Sequence, residues 1–433
     1  MVKGKSVKRL MGEKKQRLFF HIVTMGLLVC CVCCLRLSEY SGNEDMMEAV
    51  SSTCRADTRE RVEEEYRVTT YTPEDTLIQS SQLTNSENTE ETASTHDSKE
   101  TISIGRNEIK VKGIYVTGPV AGSKKMNQLV ELVDSTELNA MVIDVKNDSG
   151  EITYKMDYDV AQAIGATKNY IPDIQSLISR LKEKNIYLIA RIVAFKDPIL
   201  AEKLPAYSLK NTDGSIFRDK KGLAWVNPYS KGVWDYILNV ASSAAEMGFD
   251  EIQFDYIRFS TDAGMANVVF SQEEELPSKA EIITQFTKYV SDRLKLQGVK
   301  VSADVYGGII GSEVDRDIVG QDYGKMSEHL DCICPMIYPS QFAKGSYGVS
   351  NPDSAPYEII YQSLLDSKEK LAGNQNIMVR PWLQDFTATW LDSHITYDKE
   401  EIEAQIKAVY DSGYEEWILW NAGNNYTVEG IGT

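Results

Sequence analysis

The chain is poor in the residues that metal and redox sites require. Its four histidines, His21, His96, His329 and His394, form no H-x-H or H-E-x-x-H pair. Zinc-dependent hydrolysis or deacetylation therefore has no ligand set to use. Of seven cysteines, Cys30, Cys31, Cys33 and Cys34 crowd one apolar stretch, and Cys54 stands alone. Cys332 and Cys334 share one face of one predicted strand, about 6.6 Å apart by strand rise, which is marginal for a disulfide. No metal and no cofactor is predicted. A basic excess is missing: the formal net charge is −18, which argues against a nucleic-acid partner. A glycine-rich phosphate turn is missing too. The first predicted strand runs into Thr117-Gly118-Pro119-Val120-Ala121-Gly122-Ser123, without the G-x-G-x-x-G order of dinucleotide-binding sheets.

One long apolar run is present, residues 18–35. Its length is at the low end for a membrane span. Residues 1–17 before it carry seven Lys or Arg against Glu13 alone. No A-x-A cleavage site follows, and Val29 before Cys30 suits a lipoprotein site poorly. The expected arrangement is a basic cytoplasmic flank (1–17), a transmembrane signal anchor (18–35) and export of everything beyond. A cleaved signal peptide is the alternative; it also exports the chain. Residues 36–104 are rich in Ser, Thr, Glu and Asn and cannot bury enough apolar surface to order themselves. They read as a disordered acidic stalk.

From about residue 111 a beat of strand and helix begins. Strands are predicted over 111–118, 138–148, 186–195, 250–260, 299–307, 331–338, 376–384 and 416–421. Helices fall between them at 124–135, 174–184, 232–248, 279–296, 357–371 and 399–412, with a weaker helical region at 313–329. Eight such repeats within residues 105–433 predict an α/β fold, a closed (β/α)8 TIM barrel; an open doubly wound sheet is the runner-up. Little chain remains after the eighth strand for an outer helix. The residues before Val111 are candidates to cover that gap. The excursion 197–230 carries a hairpin turn, Asn211-Thr212-Asp213-Gly214-Ser215, and should form one wall of a cleft.

In such a barrel, chemistry sits at the C-terminal ends of the strands. Strand two ends with Asp144, Lys146 and Asp148 on one face, and strand three carries Arg191. Strand four, Phe254-Asp255-Tyr256-Ile257-Arg258-Phe259, buries a carboxylate in an apolar run. An acid there is costly unless paired or used. Asp304 and Tyr306 follow on strand five and Tyr338 on strand six. Strand seven brings Arg380, Trp382, Gln384 and Asp385, and strand eight Trp420 and Asn421. A structural Asp–Arg pair would explain one such residue. Polar residues at the same end of seven strands predict a site. Aromatic rings beside carboxylates, amides and arginines suit sugars, which offer apolar C–H faces and hydroxyls. The acidic balance of the barrel segment disfavours anionic substrates.

Six segments resemble one known family: Val111-Lys112-Gly113-Ile114-Tyr115-Val116-Thr117, Asp144-Val145-Lys146-Asn147-Asp148-Ser149-Gly150, Arg191-Ile192-Val193, the strand-four run, Pro335-Met336-Ile337-Tyr338-Pro339-Ser340 and Arg380-Pro381-Trp382-Leu383-Gln384-Asp385-Phe386. In that order they resemble the putative glycosyl hydrolase barrel family, itself similar to α-amylase-like glycosidase barrels. The resemblance implies Asp255 as nucleophile and Asp304 as proton donor. Asp304 and Gln253 stand where the amylase pattern has Glu and Arg. Glycoside cleavage needs one ionised and one protonated carboxyl. Asp255 beside Arg258 or Arg191 fits the ionised role. Asp304, Asp385 or Asp144 fits the acid. The remaining named residues are expected to bind substrate, a polysaccharide or oligosaccharide. The alternative function is a non-catalytic, cell-surface carbohydrate-binding barrel.

Overall fold

A computed structural model of the protein describes residues 109–432, apart from 271–274 and 375. The predicted flank, anchor and stalk lie outside the described residues. Among the described residues no helix is long and apolar enough to cross a membrane.

Eight positions around a closed sheet are filled in chain order by β1 (Lys112–Val116), β2 (Ala140–Lys146), β3 (Tyr187–Val193), β4 (Glu251–Asp255), β5 (Lys300–Tyr306), β6 (Cys332–Met336), β7 (Met378–Val379 and Trp382–Gln384) and β8 (Trp417–Trp420). Each strand pairs in parallel with the next, and β8 closes on β1 with Ile114 opposite Leu419. The structure is thus mixed α/β with a closed parallel barrel of eight strands. β7 is broken at Arg380-Pro381. Pro381 has no N–H to give the ladder, so regular pairing stops there and resumes at Trp382.

The strands alternate between two apolar shells. Ile114, Met141, Ile143, Leu188, Ile252, Phe254, Val301 and Leu383 point outward into the layer under the helices. Tyr115, Ala140, Val142, Ile189, Cys334, Trp382 and Ile418 point into the barrel. By the period of two, Asp144, Arg191, Gln253, Asp255, Ser302 and Asp304 share that inward face. Their polarity is why the interior is only partly apolar.

The main outer helices are α1 (Lys125–Ser135), α2 (Ile174–Glu183), α3 (Lys231–Met247), α4 (Lys279–Lys295), α5 (Pro356–Lys370) and α6 (Lys399–Asp411). Their ends follow local chemistry. The Asp173 carboxylate accepts from Ser176 N at 2.9 Å to start α2. Ser278 and Glu281 form a reciprocal capping box for α4. Gly248 ends α3 in a left-handed conformation, φ +104°, open to a residue without a Cβ. The weak helical region after β5 is two short helices, Glu313–Val319 and Tyr323–Ser327. Gly320 at φ +75° stops the first, and the Asp322 side chain caps the second.

The gap beyond β8 is covered by residues 421–432 rather than by those before Val111. Ile431 is buried, and Gly432 O accepts from Glu137 N at 2.7 Å beside α1. The excursion after β3 folds back as predicted for a wall. Asn211 N donates to Ser215 O at 2.9 Å across its turn, and Lys210–Asn211 pairs with Val268–Val269 from the loop after β4.

Candidate active site

Four consecutive strands deliver one polar cluster to the C-terminal end of the lumen. The register places Asp144 opposite Arg191 and Val193 opposite Asp255, so the carboxylates flank the arginine. Arg191 Nη1 donates to Asp144 Oδ1 at 2.6 Å. Its Nη2 and Nε both donate to Asp255 Oδ2, at 2.5 and 3.1 Å. The same Nε lies 4.0 Å from Asp304 Oδ2. Two further side chains fix the acids. The Tyr115 hydroxyl donates to Asp144 Oδ2 at 2.5 Å, and Trp382 Nε1 donates to Asp304 Oδ1 at 2.6 Å.

Three acids around one guanidinium cannot all ionise at equal ease. Burial pushes the Asp304 carboxyl well above the usual carboxylate range, and the charge of Asp255 pushes it further. Arg191 and the Trp382 bond oppose that shift without cancelling it. Burial also raises Asp144, against Arg191 and Tyr115. Asp304 is therefore the acid most disposed to keep its proton. With Oδ1 accepting from Trp382, Oδ2 is the oxygen free to carry it.

Strain sits beside the cluster. Tyr256, next to Asp255, has φ +51°, in the left-handed region. A non-glycine residue held there costs roughly 1–3 kcal/mol and persists only where its surroundings demand it. Here its N–H turns back onto Asp255 Oδ1 at 2.5 Å, and its ring is held between Lys196, at 4.8 Å, and Arg258, at 4.9 Å. Asp255 thus has both oxygens engaged, one by a guanidinium and one by a backbone amide.

Aromatic rings line one side of the mouth. Trp420 stacks on Tyr115 at 6.4 Å and 24°, and touches Tyr338 at 5.8 Å and Phe386 at 5.2 Å. Phe386 stacks in turn on Trp390, which is 64% exposed. The opposite wall comes from the insert after β3, with Trp225 against Tyr256 at 5.8 Å.

Several predicted site residues stand elsewhere. Arg258 does not pair with Asp255; Arg191 takes that place, because cross-strand register puts it closer. A bulge between Asp144 and Lys146 turns Lys146 away from the acids, and its Nζ binds buried Asp197 at 2.9 Å and Val193 O at 2.7 Å. Asp148 bonds Lys196 at 2.8 Å. It is partly desolvated, yet that bond and the charges of Arg191 and Lys221 hold its carboxyl below the usual range. Arg380 lies at the floor, not the mouth. It binds Glu251 and Glu416 at 2.8 Å each, and Tyr187 and Ser302 also donate to Glu251. Trp382 is buried in the lumen, where it serves Asp304 and offers no open face. Gln384 is spent between Ser340 N, at 3.1 Å, and Asp353, at 3.2 Å. Asp385 accepts from Thr427 N and Oγ1, at 3.0 and 2.8 Å, and anchors the closing segment outside the Arg191 cluster. Asn421 donates to Asp385 O and accepts from Gly423 N at 2.9 Å. Tyr306 borders the mouth, half-buried.

Tyr115, Phe386 and Trp390 were not among the predicted site residues. Tyr115 lies in a quoted segment and shares the lumen parity of β1, which was the available signal. Among the described residues, the acids close enough to share a metal are Asp398, Glu400 and Glu401. Asp398 and Glu401 are already committed to capping α6.

No curated protein matches the chain. A hypothetical protein from Ruminiclostridium thermocellum ATCC 27405 is 38% identical, covering 44% of this chain and 97% of that one, with a TM-score of 0.41. The glycoside hydrolase domain of PgaB (BpsB) from Bordetella bronchiseptica is 12% identical, covering 72% of this chain and 94% of that one, with a TM-score of 0.50. The spore cortex-lytic enzyme SleL of Bacillus megaterium QM B1551 is 13% identical, covering 74% and 72%, with a TM-score of 0.45. At such identities the likeness to PgaB concerns the fold alone. The stronger finding is a match of residues 113–426, nearly the whole barrel, to the family described as the putative glycosyl hydrolase domain. The chain belongs to that family, and its barrel is of the glycosidase kind.

Proposed function

We propose that the barrel hydrolyses a glycosidic bond in a polysaccharide, with Asp255 as nucleophile and Asp304 as general acid. One observation carries this reading: two acids on adjacent strands meet at one arginine, one ion-paired with it and the other pushed toward its neutral form. That is the division of labour glycoside cleavage needs. Asp304 protonates the departing glycosidic oxygen while Asp255 attacks the anomeric carbon. Asp304, now ionised, then takes a proton from the water that releases the sugar. Arg191 keeps Asp255 charged and aimed. Asp144, tied to Tyr115 and Arg191, is a positioning residue. The Trp420–Phe386–Trp390 rings supply apolar faces for sugar C–H groups.

Asp304→Asn tests the acid role. Turnover should fall about 10²–10⁴-fold on substrates with poor leaving groups and much less on aryl glycosides with good ones. The sign of the pH effect follows from the raised pKa. Activity needs protonated Asp304, so wild-type activity falls as pH rises through that value, and the variant should lose this alkaline limb. Equal slowing of all leaving groups, with the limb retained, would remove Asp304 from the role. A protein that binds glycans tightly yet never cleaves one is instead a carbohydrate-binding barrel.

We also place the barrel outside the cell, carried by the 18–35 span. Protease added to intact cells should release a soluble fragment beginning within 36–104. Protection until the membrane is breached would reverse the orientation.

A further inference from the structure

The insert wall of the mouth carries a charge that nothing in the structure neutralises. Arg258 is half-buried at the end of the β4 segment, three residues past Asp255. Its guanidinium is 4.9 Å from the Tyr256 ring and 5.5 Å from the Trp225 ring. Among the described residues its one hydrogen bond is from Nη1 to Phe259 O, at 2.9 Å, and no carboxylate lies within ion-pair reach. The other charges of this wall are mostly matched. Lys196 is taken by Asp148, and Asp219 accepts from Trp225 Nε1 at 3.2 Å. Asp315 faces the Tyr306 phenol, which also feels Arg258. Lys220 and Lys221 extend the basic character at the exposed tip of the insert.

A half-buried guanidinium with most of its five N–H groups unspent is a poor structural element. Partial desolvation without a counter-ion is unfavourable. Two aromatic rings hold the fork in place, so little freedom is lost when it grips a planar anion. The local charge here is opposite to that of the chain as a whole.

We propose that Arg258 receives a carboxylate of the substrate, so that the preferred glycan is acidic, built with carboxylate-bearing sugars. This deepens the proposed function and rests on reading the mouth as a glycan site. The basic insert would then draw in the acidic chain, while the aromatic wall holds sugar faces. It reverses the preference for neutral or cationic glycans expected from net charge alone.

Binding can be measured apart from turnover, with the full-length chain carrying Asp255→Asn. The probes are polygalacturonate fragments, the same fragments methyl-esterified, neutral glucan fragments and a phosphate-substituted glycan. The carboxylated fragments should bind roughly 10–100-fold more tightly than their esters, the range for a charge-assisted bond. Arg258→Gln should erase that difference and leave ester and glucan binding unchanged. Arg258→Lys should keep most of it, and added salt should weaken it in step. Thermal melting of each variant checks that the fold is intact. Equal binding of acid and ester, or a preference that survives Arg258→Gln, overturns the inference while the glycan reading stands. A preference for the phosphate-substituted glycan alone overturns the carboxylate assignment. If no glycan of any kind binds, the glycan reading itself falls.

Discussion

Asp255→Asn is expected to reduce glycan hydrolysis by roughly four orders of magnitude or more, with sugar binding largely kept. The amide is nearly isosteric and can still accept from the Tyr256 N–H and from Arg191, so geometry should survive. What disappears is the negative oxygen that attacks the anomeric carbon and stabilises the positive charge developing there. That interaction is made in the transition state, whereas the aromatic wall contacts the ground state as well. The effect should therefore fall on kcat, with KM and the affinity for unreacted glycan little altered. Turnover and binding of both proteins on one cleaved substrate decide it. A variant that turns over as fast as wild type rules out Asp255 as nucleophile, even with the barrel intact.

Arg191→Met should damage both stability and activity. Arg191 is the one cation shared by Asp144, Asp255 and Asp304. Removing one member of a buried ion cluster typically costs about 3–5 kcal/mol, because the remaining charges stay desolvated. The loss should depend on pH, and its sign can be worked out. Burial already raises the folded-state pKa of Asp144 and Asp304 above the unfolded value. Groups so raised contribute stability that is present below the unfolded pKa and is lost as pH rises through the folded one. Without Arg191 the folded values rise further, so the variant should melt closest to wild type near about pH 5 and diverge toward about pH 8. Arg191→Lys should recover part of the stability but little of the activity, since an ammonium cannot serve Asp144 and Asp255 as a fork does. A melting-temperature deficit that is flat across this range would mean the three acids are not coupled through Arg191.

Much of this was legible before any coordinates. The eight-beat alternation and the six main helices could be read because hydrophobic period and capping residues are local. Asp173, Ser278 and Asp398 announce helix starts within a few residues of chain. Parity was legible as well: Asp144, Arg191, Asp255 and Asp304 alternate against apolar neighbours that face outward. Height within the lumen was not. Arg380 has the inward parity of a mouth residue, yet it meets Glu251 and Glu416, which enter at the opposite end of their strands. Register was not legible either. Arg258 looked like the partner of Asp255 because it is near in sequence, while Arg191 is nearer across the ladder. A single bulge re-aimed Lys146. Asp385 was taken by Thr427, 42 positions later in the chain, and no local pattern signals such a pairing.

The ion layer at the barrel floor reaches further than its own packing. Glu251 is among the charges that lift the Asp304 carboxyl, although it sits at the far end of β4 from Asp255. In a medium of low polarisability a charge is felt across the thickness of the sheet. The working pH range of the barrel can therefore be retuned from beneath, by substitutions that no sugar ever touches. Selection for a more acid or more alkaline habitat could act on the floor while the mouth, and with it the choice of glycan, stays as it is.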